Sequence, residues 1–129
     1  MKFAAIDIGS NAVRLLICRV TEKKKGKPKA QKLAYYRVPI RLGTDVFATG
    51  EISKKRGHDL TKAMRAFWYL MDIHGIEWFK ANATSAMREA SNAKDIVKRI
   101  RKQANVKVDI ISGQEEADLI FGNFESADF

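Results

Sequence analysis

An acidic residue followed by a polar turn lies close to the N-terminus. Asp7 stands near the end of an apolar run, and Gly9, Ser10 and Asn11 follow it. A carboxylate in this position can hold a divalent cation, directly or through water, and the backbone N–H groups of a Gly-Ser-Asn turn can point at phosphate oxygens. The sequence therefore predicts a loop that binds phosphate and metal.

A second polar junction follows a later apolar run, at residues 83–88. It combines the hydroxyl groups of Thr84 and Ser85 with the guanidinium of Arg88. A strand that leads into a hydroxyl-rich turn is suited to anion binding. A short helix that begins here would also use Thr84 or Ser85 as a cap, and the two interpretations are equally compatible with the sequence.

A third junction opens the last predicted helix. Ser112 as N-cap and Glu115 three residues later form a capping box, in which the Glu115 side chain reaches back to the cap N–H. Glu116 points about 100° around the helix from Glu115 and has no capping role. Of the two carboxylates, Glu116 is therefore the one free to take part in chemistry.

Three predicted strands come first in the chain. Residues 3–8 and 13–20 flank the first turn, and residues 32–42 complete a three-stranded antiparallel meander. Residues 43–51 contain Gly43 and Gly50 and are predicted to be a loop.

Helices and strands alternate in the rest of the chain. A long amphipathic helix is predicted from the N-cap Ser53 to His74, with Gly75 following it. A strand at 76–83, a helix that starts at the pair Asn92 and Asp95, and a strand at 106–110 come next. This α/β layout adds two strands to the meander through helical crossovers, and the ends of such strands collect ligand-binding loops. We expect the three polar junctions to converge on one cleft.

Length and composition limit the classes of protein. With 129 residues, of which 46% are hydrophobic, the chain suits one domain with a single core. The net charge of +9 favours a polyanionic partner such as a nucleotide, polyphosphate or nucleic acid. Part of this charge lies in residues 23–29, which we interpret as a solvated hairpin tip. The single cysteine, Cys18, is predicted to be a buried small hydrophobe. The absence of a long apolar stretch predicts a cytoplasmic protein without a membrane span.

Four motifs in order resemble the exopolyphosphatase and guanosine pentaphosphate phosphohydrolase family of the actin, sugar kinase and heat-shock ATPase superfamily. They are residues 6–11 with Arg14, residues 41–43 and 50–52, residues 83–90 with Asn92, and residues 110–117. The resemblance spans nearly the whole chain. It implies a ribonuclease-H-like, actin-like N-terminal lobe of a Mg²⁺-assisted phosphohydrolase, which removes a terminal phosphate from inorganic polyphosphate, from guanosine pentaphosphate, or from both.

The resemblance also implies roles for individual residues. Asp7 belongs to the magnesium and phosphate region, and the first phosphate loop is Gly9, Ser10 and Asn11. Arg14 and Arg88 are cationic partners of the substrate phosphates, and Thr84 and Ser85 line the same cleft. Glu116 matches the proposed catalytic carboxylate, which orients and deprotonates the attacking water.

The sequence departs from this family at two places. Ala12 stands where serine is common, which removes a hydroxyl but leaves the backbone loop. The second phosphate loop of the family, an Asp followed by three glycines and a Ser or Thr, is absent from residues 1–129. We therefore expect a single lobe without its partner lobe, with negligible activity by itself, and a homodimer for the two-lobed protein.

Two other functions are compatible with the same residues. A module that binds a guanine alarmone or polyphosphate without hydrolysing it would use the same cationic loops. A nucleic-acid binder is suggested only by the charge, because the aromatic residues Phe67, Trp68 and Phe79 lie in core-like patterns instead of alternating with basic residues.

Overall fold

The sheet has its first strand at the centre. In the computed structural model, which describes residues 1–21 and 29–112, the strands are β1 (Lys2–Ile8), β2 (Val13–Thr21), β3 (Lys29–Val38), β4 (Trp78–Ala83) and β5 (Val108–Ile110). Their order is β3-β2-β1-β4-β5. The first three strands pair antiparallel, and β4 and β5 join in parallel. The predicted meander with two added strands is confirmed. Of the last predicted helix, only the N-cap Ser112 is among the described residues. Most of the basic hairpin tip also lies outside them.

Four helices share one face of the sheet. They are α1 (Leu42–Thr49), α2 (Lys54–His74), α3 (Ser85–Glu89) and α4 (Ala93–Ala104). Each contributes side chains to one buried cluster, among them Val46, Phe67, Met87 and Ile100, together with strand residues such as Ile6. The apolar face predicted for α2 is therefore confirmed as the face that packs on the sheet.

The opposite face of the sheet carries a smaller apolar cluster and then a polar edge. Side chains alternate between faces along a strand, so Phe3, Ala5 and Asp7 of β1 share this second face. Phe3 and Ala5 are buried with Leu16 and Cys18 of β2. Cys18 is fully buried, and this burial raises the pKa of its thiol to about 11. Its prediction as a buried small hydrophobe is confirmed.

The prediction of a loop at residues 43–51 is wrong, because residues 42–49 form helix α1. Glycine and β-branched residues make this segment a weak helix former, but Leu42 and Val46 are buried in the core. A Cβ at Gly43 would lie 3.1 Å from the Cβ of Ser10, so glycine lets the helix approach the first polar turn closely. Tertiary packing overrides local propensity here.

The prediction that Asn92 and Asp95 form a capping pair is also wrong. Asn92 occupies the N-cap position of α4, but its side chain makes no capping hydrogen bond. Instead its Oδ1 accepts from the Ile52 N–H at 3.0 Å, and its Nδ2 donates to the Ile52 carbonyl at 2.8 Å. Asn92 therefore ties the start of α4 to the segment before α2.

Both ends of α2 match the sequence-based expectation. The Ser53 side chain accepts from the Arg56 N–H at 3.3 Å, and Gly75 ends the helix in the left-handed conformation, with φ of 70°. Strand β3 ends at Val38 and not at residue 42 as predicted, because Pro39 cannot donate to the ladder. Within residues 1–21 and 29–112, no helix combines the length and apolar character that crossing a bilayer requires.

Asp45 joins α1 to the first turn of α2, and its replacement by asparagine should destabilise the fold in a pH-dependent way. Its carboxylate accepts from the Ser53 N–H at 3.0 Å and pairs with the Arg56 guanidinium. Hydrogen bonding from Ser53, with help from Arg56, lowers the pKa of Asp45 below its usual 3.8. The stabilisation is therefore present above the unfolded pKa and lost as pH falls through the lower folded pKa.

We expect Asp45→Asn to lower the free energy of unfolding by about 1 to 2 kcal/mol at neutral pH. Urea unfolding of both proteins between about pH 7 and about pH 2 measures the difference, which should shrink toward the acidic end. A difference that stays constant over this range would show that ionisation of Asp45 does not stabilise the fold.

Candidate functional site

The turn between β1 and β2 is held from behind by helix α1. The Gly9 N–H donates to the Ala12 carbonyl at 3.0 Å and closes the turn. The Ser10 carbonyl accepts from the Gly43 N–H at 2.8 Å, and the Asn11 carbonyl accepts from the Arg41 N–H at 2.9 Å. Two successive carbonyl groups of the turn are thus committed to the start of α1.

The amide side of the same turn is available for a ligand. Within residues 1–21 and 29–112, the N–H groups of Ser10 and Asn11 have no backbone hydrogen-bond partner. A Cβ at Gly9 would lie 3.1 Å from the Ala12 carbonyl oxygen, so a larger residue would disturb the closure. Successive unpaired N–H groups in a tight turn form a concave anion-binding site. The phosphate loop predicted at Gly9, Ser10 and Asn11 is compatible with this geometry and stays a prediction.

Asp7 forms an ion pair with Arg14 across the hairpin. The two residues are direct partners in the β1–β2 register. Arg14 donates from Nη2 at 2.5 Å and from Nε at 3.1 Å, both to Asp7 Oδ2. The Arg14 side chain, 25% exposed, lies partly in the cavity described below. Arg14 therefore neutralises Asp7 at the wall of the cavity, and this pairing with Asp7 was not predicted from the sequence.

The second carboxylate oxygen of Asp7 lacks a hydrogen-bond partner in the part of the chain that the structure describes. Oδ1 is buried and accepts no hydrogen bond from any residue that the structure describes. An orphaned carboxylate oxygen fits a hard cation such as Mg²⁺, which prefers oxygen ligands. Among residues 1–21 and 29–112, no three His, Cys, Asp or Glu side chains cluster at metal-binding distance. A magnesium ion bound here would keep water or substrate oxygens among its ligands, as Mg²⁺ commonly does.

Thr84 and Ser85 follow the carboxyl end of β4, next to the first turn. The Thr84 N–H donates to the Ile8 carbonyl at 3.2 Å, which fixes this junction beside β1. Thr84 is buried at the N-cap position of α3, yet its side chain makes no capping bond. The hydroxyl groups of Ser10 and Ser85 are hydrogen-bonded to each other at 2.9 Å. Two of the three predicted junctions therefore meet.

These groups surround one open cavity of about 310 Å³. The residues that line it come from the first turn, the β1–β2 ion pair, the start of α3 and one arginine of β3: Asp7, Gly9, Ser10, Asn11, Ala12, Arg14, Arg37, Thr84 and Ser85. Arg37 was not predicted from the sequence. It is the register partner of Arg14, so two arginines stand opposite each other on neighbouring strands, and both line the cavity.

Arg88 is not part of the cavity lining. Its guanidinium donates from Nη1 to the Ile111 carbonyl at 3.0 Å, and its side chain is exposed. The Ile111 N–H in turn donates to the Ala83 carbonyl at 3.0 Å. The chain thus reaches residue 112 beside the end of β4, where the third junction begins. Glu116 itself lies outside the described residues, so its predicted place in the cleft stays a prediction.

Similarity to known proteins identifies the family of this chain. A model of the Ppx/GppA phosphatase family matches residues 19–127. The chain belongs to this family. The structure of the Ppx/GppA family member from Aquifex aeolicus is similar, with a TM-score of 0.80 and 32% identity, over 90% of this chain and 36% of that one. The predicted actin-like α/β lobe is confirmed by this likeness.

Two further Ppx/GppA relatives are named exopolyphosphatases. Exopolyphosphatase 1 of Mycobacterium tuberculosis is 30% identical over 121 residues, which cover 94% of this chain and 34% of that protein. An exopolyphosphatase structure from Cytophaga hutchinsonii has a TM-score of 0.82 at 28% identity and covers 94% of this chain and 37% of that one. The chain thus spans about a third of the length of these relatives.

The hydroxyl pair of Ser10 and Ser85 should couple the β1–β2 turn of this Ppx/GppA lobe to α3. We expect Ser10→Ala and Ser85→Ala each to cost about 1 kcal/mol of folding free energy. Because both remove the same hydrogen bond, the double variant should cost less than the sum, by about 0.5 to 1 kcal/mol. Urea unfolding of the four proteins measures this coupling, and strictly additive costs would contradict it.

Proposed function

We propose that this chain is the phosphate-binding lobe of a phosphohydrolase that releases terminal phosphate from inorganic polyphosphate, from guanosine pentaphosphate, or from both. The observation that carries the proposal is the convergence of an unpaired amide turn, two arginines and two hydroxyl residues on one cavity. Family membership and the names of the exopolyphosphatase relatives support the reaction class. The full reaction would need a second lobe opposite this cavity.

The cavity residues have separate tasks in this reaction. The Ser10 and Asn11 N–H groups and the Arg14 guanidinium compensate the charge of the terminal phosphoryl group. Arg37, two strands from the centre, binds the next phosphate along the substrate. The side chains of Thr84 and Ser85 close the cavity on the β4 side and supply hydroxyl donors.

Hydrolysis requires a positioned water. In the proposal, Glu116 accepts a proton from this water, whose oxygen bonds to the terminal phosphorus while the bond to the bridging oxygen breaks. The released group leaves as phosphate, and the shortened substrate retains the bridging oxygen. Mg²⁺ bound beside Asp7 would supply charge compensation to the phosphate oxygens when present.

The distribution of basic residues favours a compact polyphosphorylated ligand over a nucleic acid. Arg14 and Arg37 lie on adjacent strands at the cavity, whereas a nucleic-acid surface would present aromatic side chains among its basic residues. Phe67 is buried in the core, Trp68 is partly buried against the same core, and neither lines the cavity that holds Arg14 and Arg37. A lobe that binds without catalysis would share this cavity, and Glu116 distinguishes the two functions.

Replacing the proposed general base should separate turnover from binding. In the two-lobed protein that the proposal implies, Glu116→Gln should lower phosphate release by at least about 100-fold, since general bases contribute a factor of this size. The affinity for tripolyphosphate should change little. Glu115→Gln is the matched control, because Glu115 has the predicted capping role. Unchanged turnover in Glu116→Gln would remove Glu116 from the mechanism.

The lobe alone should be a poor enzyme. Residues 1–129 carry no second glycine-rich phosphate loop, so the in-line geometry of the transferred phosphoryl group would be incompletely held. We expect Mg²⁺-dependent phosphate release from tripolyphosphate by the purified chain to be indistinguishable from the no-enzyme control. Robust release that follows protein concentration would contradict the requirement for a second lobe.

A further inference from the structure

A row of polar side chains crosses the second face of the sheet just before the strands end. Direct register partners on the five strands make up this row, in the order Arg37, Arg14, Asp7, Asn82 and Asp109. The row is cationic at the β3 edge and anionic toward β5. The proposed function uses its cationic half and Asp7, but it assigns no task to Asn82.

Asn82 resembles Asp7 in an unusual respect. Asn82 is 4% exposed and Asp7 is 5% exposed. One side-chain oxygen of each, Oδ1, is buried without a hydrogen-bond partner among the described residues. Leaving a buried polar atom unpaired costs about 1 to 3 kcal/mol. These are the two buried side-chain atoms of residues 1–21 and 29–112 that lack a partner, and they belong to adjacent residues in the sheet.

The register brings the two side chains to the same place. Asp7 and Asn82 are direct partners in the parallel pairing of β1 with β4, so their side chains leave the same face of strands about 4.8 Å apart. Both orphaned atoms are acceptors, so with the Asn82 amide in this orientation they do not satisfy each other. A positively charged or donor group near both oxygens would satisfy the pair.

A divalent cation meets this requirement best. Carboxylate and amide oxygens are ordinary ligands of hard cations. The other Asp7 oxygen is already bound by Arg14, so Oδ1 is the free ligand atom. Asp109, half-buried and next in the row, adds negative charge on the same side. Cation and anion subsites would then lie side by side along one row, as a metal-bound phosphate requires.

We propose that Asn82 is a ligand of the divalent cation, with its Oδ1 binding the ion together with Asp7 Oδ1. This inference rests on the proposed magnesium-assisted function and adds a residue that the motifs do not include. Asn82 lies within the strand, two residues before the hydroxyl junction. It would therefore set the distance of the ion from the phosphate loop.

Cation binding to the 129-residue chain tests this directly, without any hydrolysis. Mn²⁺ serves as the probe because it shares the oxygen preference of Mg²⁺ and its binding can be followed by electron paramagnetic resonance. Asn82→Leu keeps the size of the side chain but removes the oxygen, and should weaken Mn²⁺ binding by about 10-fold or more. Asn82→Asp adds a charge and should tighten it, and Mn²⁺ should then raise the Tm more than in the unsubstituted chain.

A matched control separates ligand loss from the loss of any buried polar group. Thr61 is also 4% exposed, and its hydroxyl donates to the Gly57 carbonyl at 2.9 Å on α2, within the helix layer. Thr61→Val should lower the Tm but leave the Mn²⁺ dissociation constant unchanged. Near-ultraviolet circular dichroism confirms that each variant is folded. If Asn82→Leu does not fold, the opposite shift expected for Asn82→Asp still decides the question.

The outcomes distinguish this inference from the function on which it rests. Equal Mn²⁺ affinity in the unsubstituted chain, Asn82→Leu and Asn82→Asp would overturn the role of Asn82 and leave the proposed phosphohydrolase unaffected. An Asn82 amide that is turned to donate to Asp7 would give this result. Absence of Mn²⁺ binding from all of them would overturn the cation site itself, whereas tripolyphosphate binding would still test the phosphate loop.

Discussion

The ion pair between Asp7 and Arg14 is the interaction on which the cleft depends. It joins β1 to β2 at the point where the polar row changes from cationic to anionic. Arg14 pairs with one oxygen of Asp7, and the other oxygen has no hydrogen-bond partner among the described residues, while both side chains line the cavity. In a site only partly open to water, such charges act more strongly than they would on a surface. One pair therefore orients both the proposed cation site and the proposed phosphate site.

The helices hold the walls of this cleft in place, chiefly through backbone hydrogen bonds. Arg41 and Gly43, at the start of α1, donate to the carbonyl groups of Asn11 and Ser10, which holds in place the turn that lines the cavity. Helix α3 then fixes the other wall through the hydroxyl pair of Ser10 and Ser85. The proposed phosphate loop is thus preorganised, which reduces the entropy that ligand binding must overcome.

Local patterns in the sequence predict most of this architecture. The hairpin around Gly9, the boundaries of α2 and the convergence of Thr84 and Ser85 on the first turn all follow from turn chemistry, caps and periodicity. Helix α1 does not, because it forms by burying Leu42 and Val46 against distant strands. Arg37 and Asn82 look like ordinary strand residues in the sequence. Only the strand register, which no local pattern specifies, places them beside Arg14 and Asp7.

The central claim is that the turn at residues 9–11 binds phosphate together with the junction at Thr84. The most direct measurement is an amide nuclear magnetic resonance titration of the chain with tripolyphosphate, with and without Mg²⁺. Saturable shifts should appear at Ser10, Asn11 and Ser85, and Mg²⁺ should enlarge them. Shifts confined to the basic segment 23–29, with the turn amides unmoved, would contradict the account.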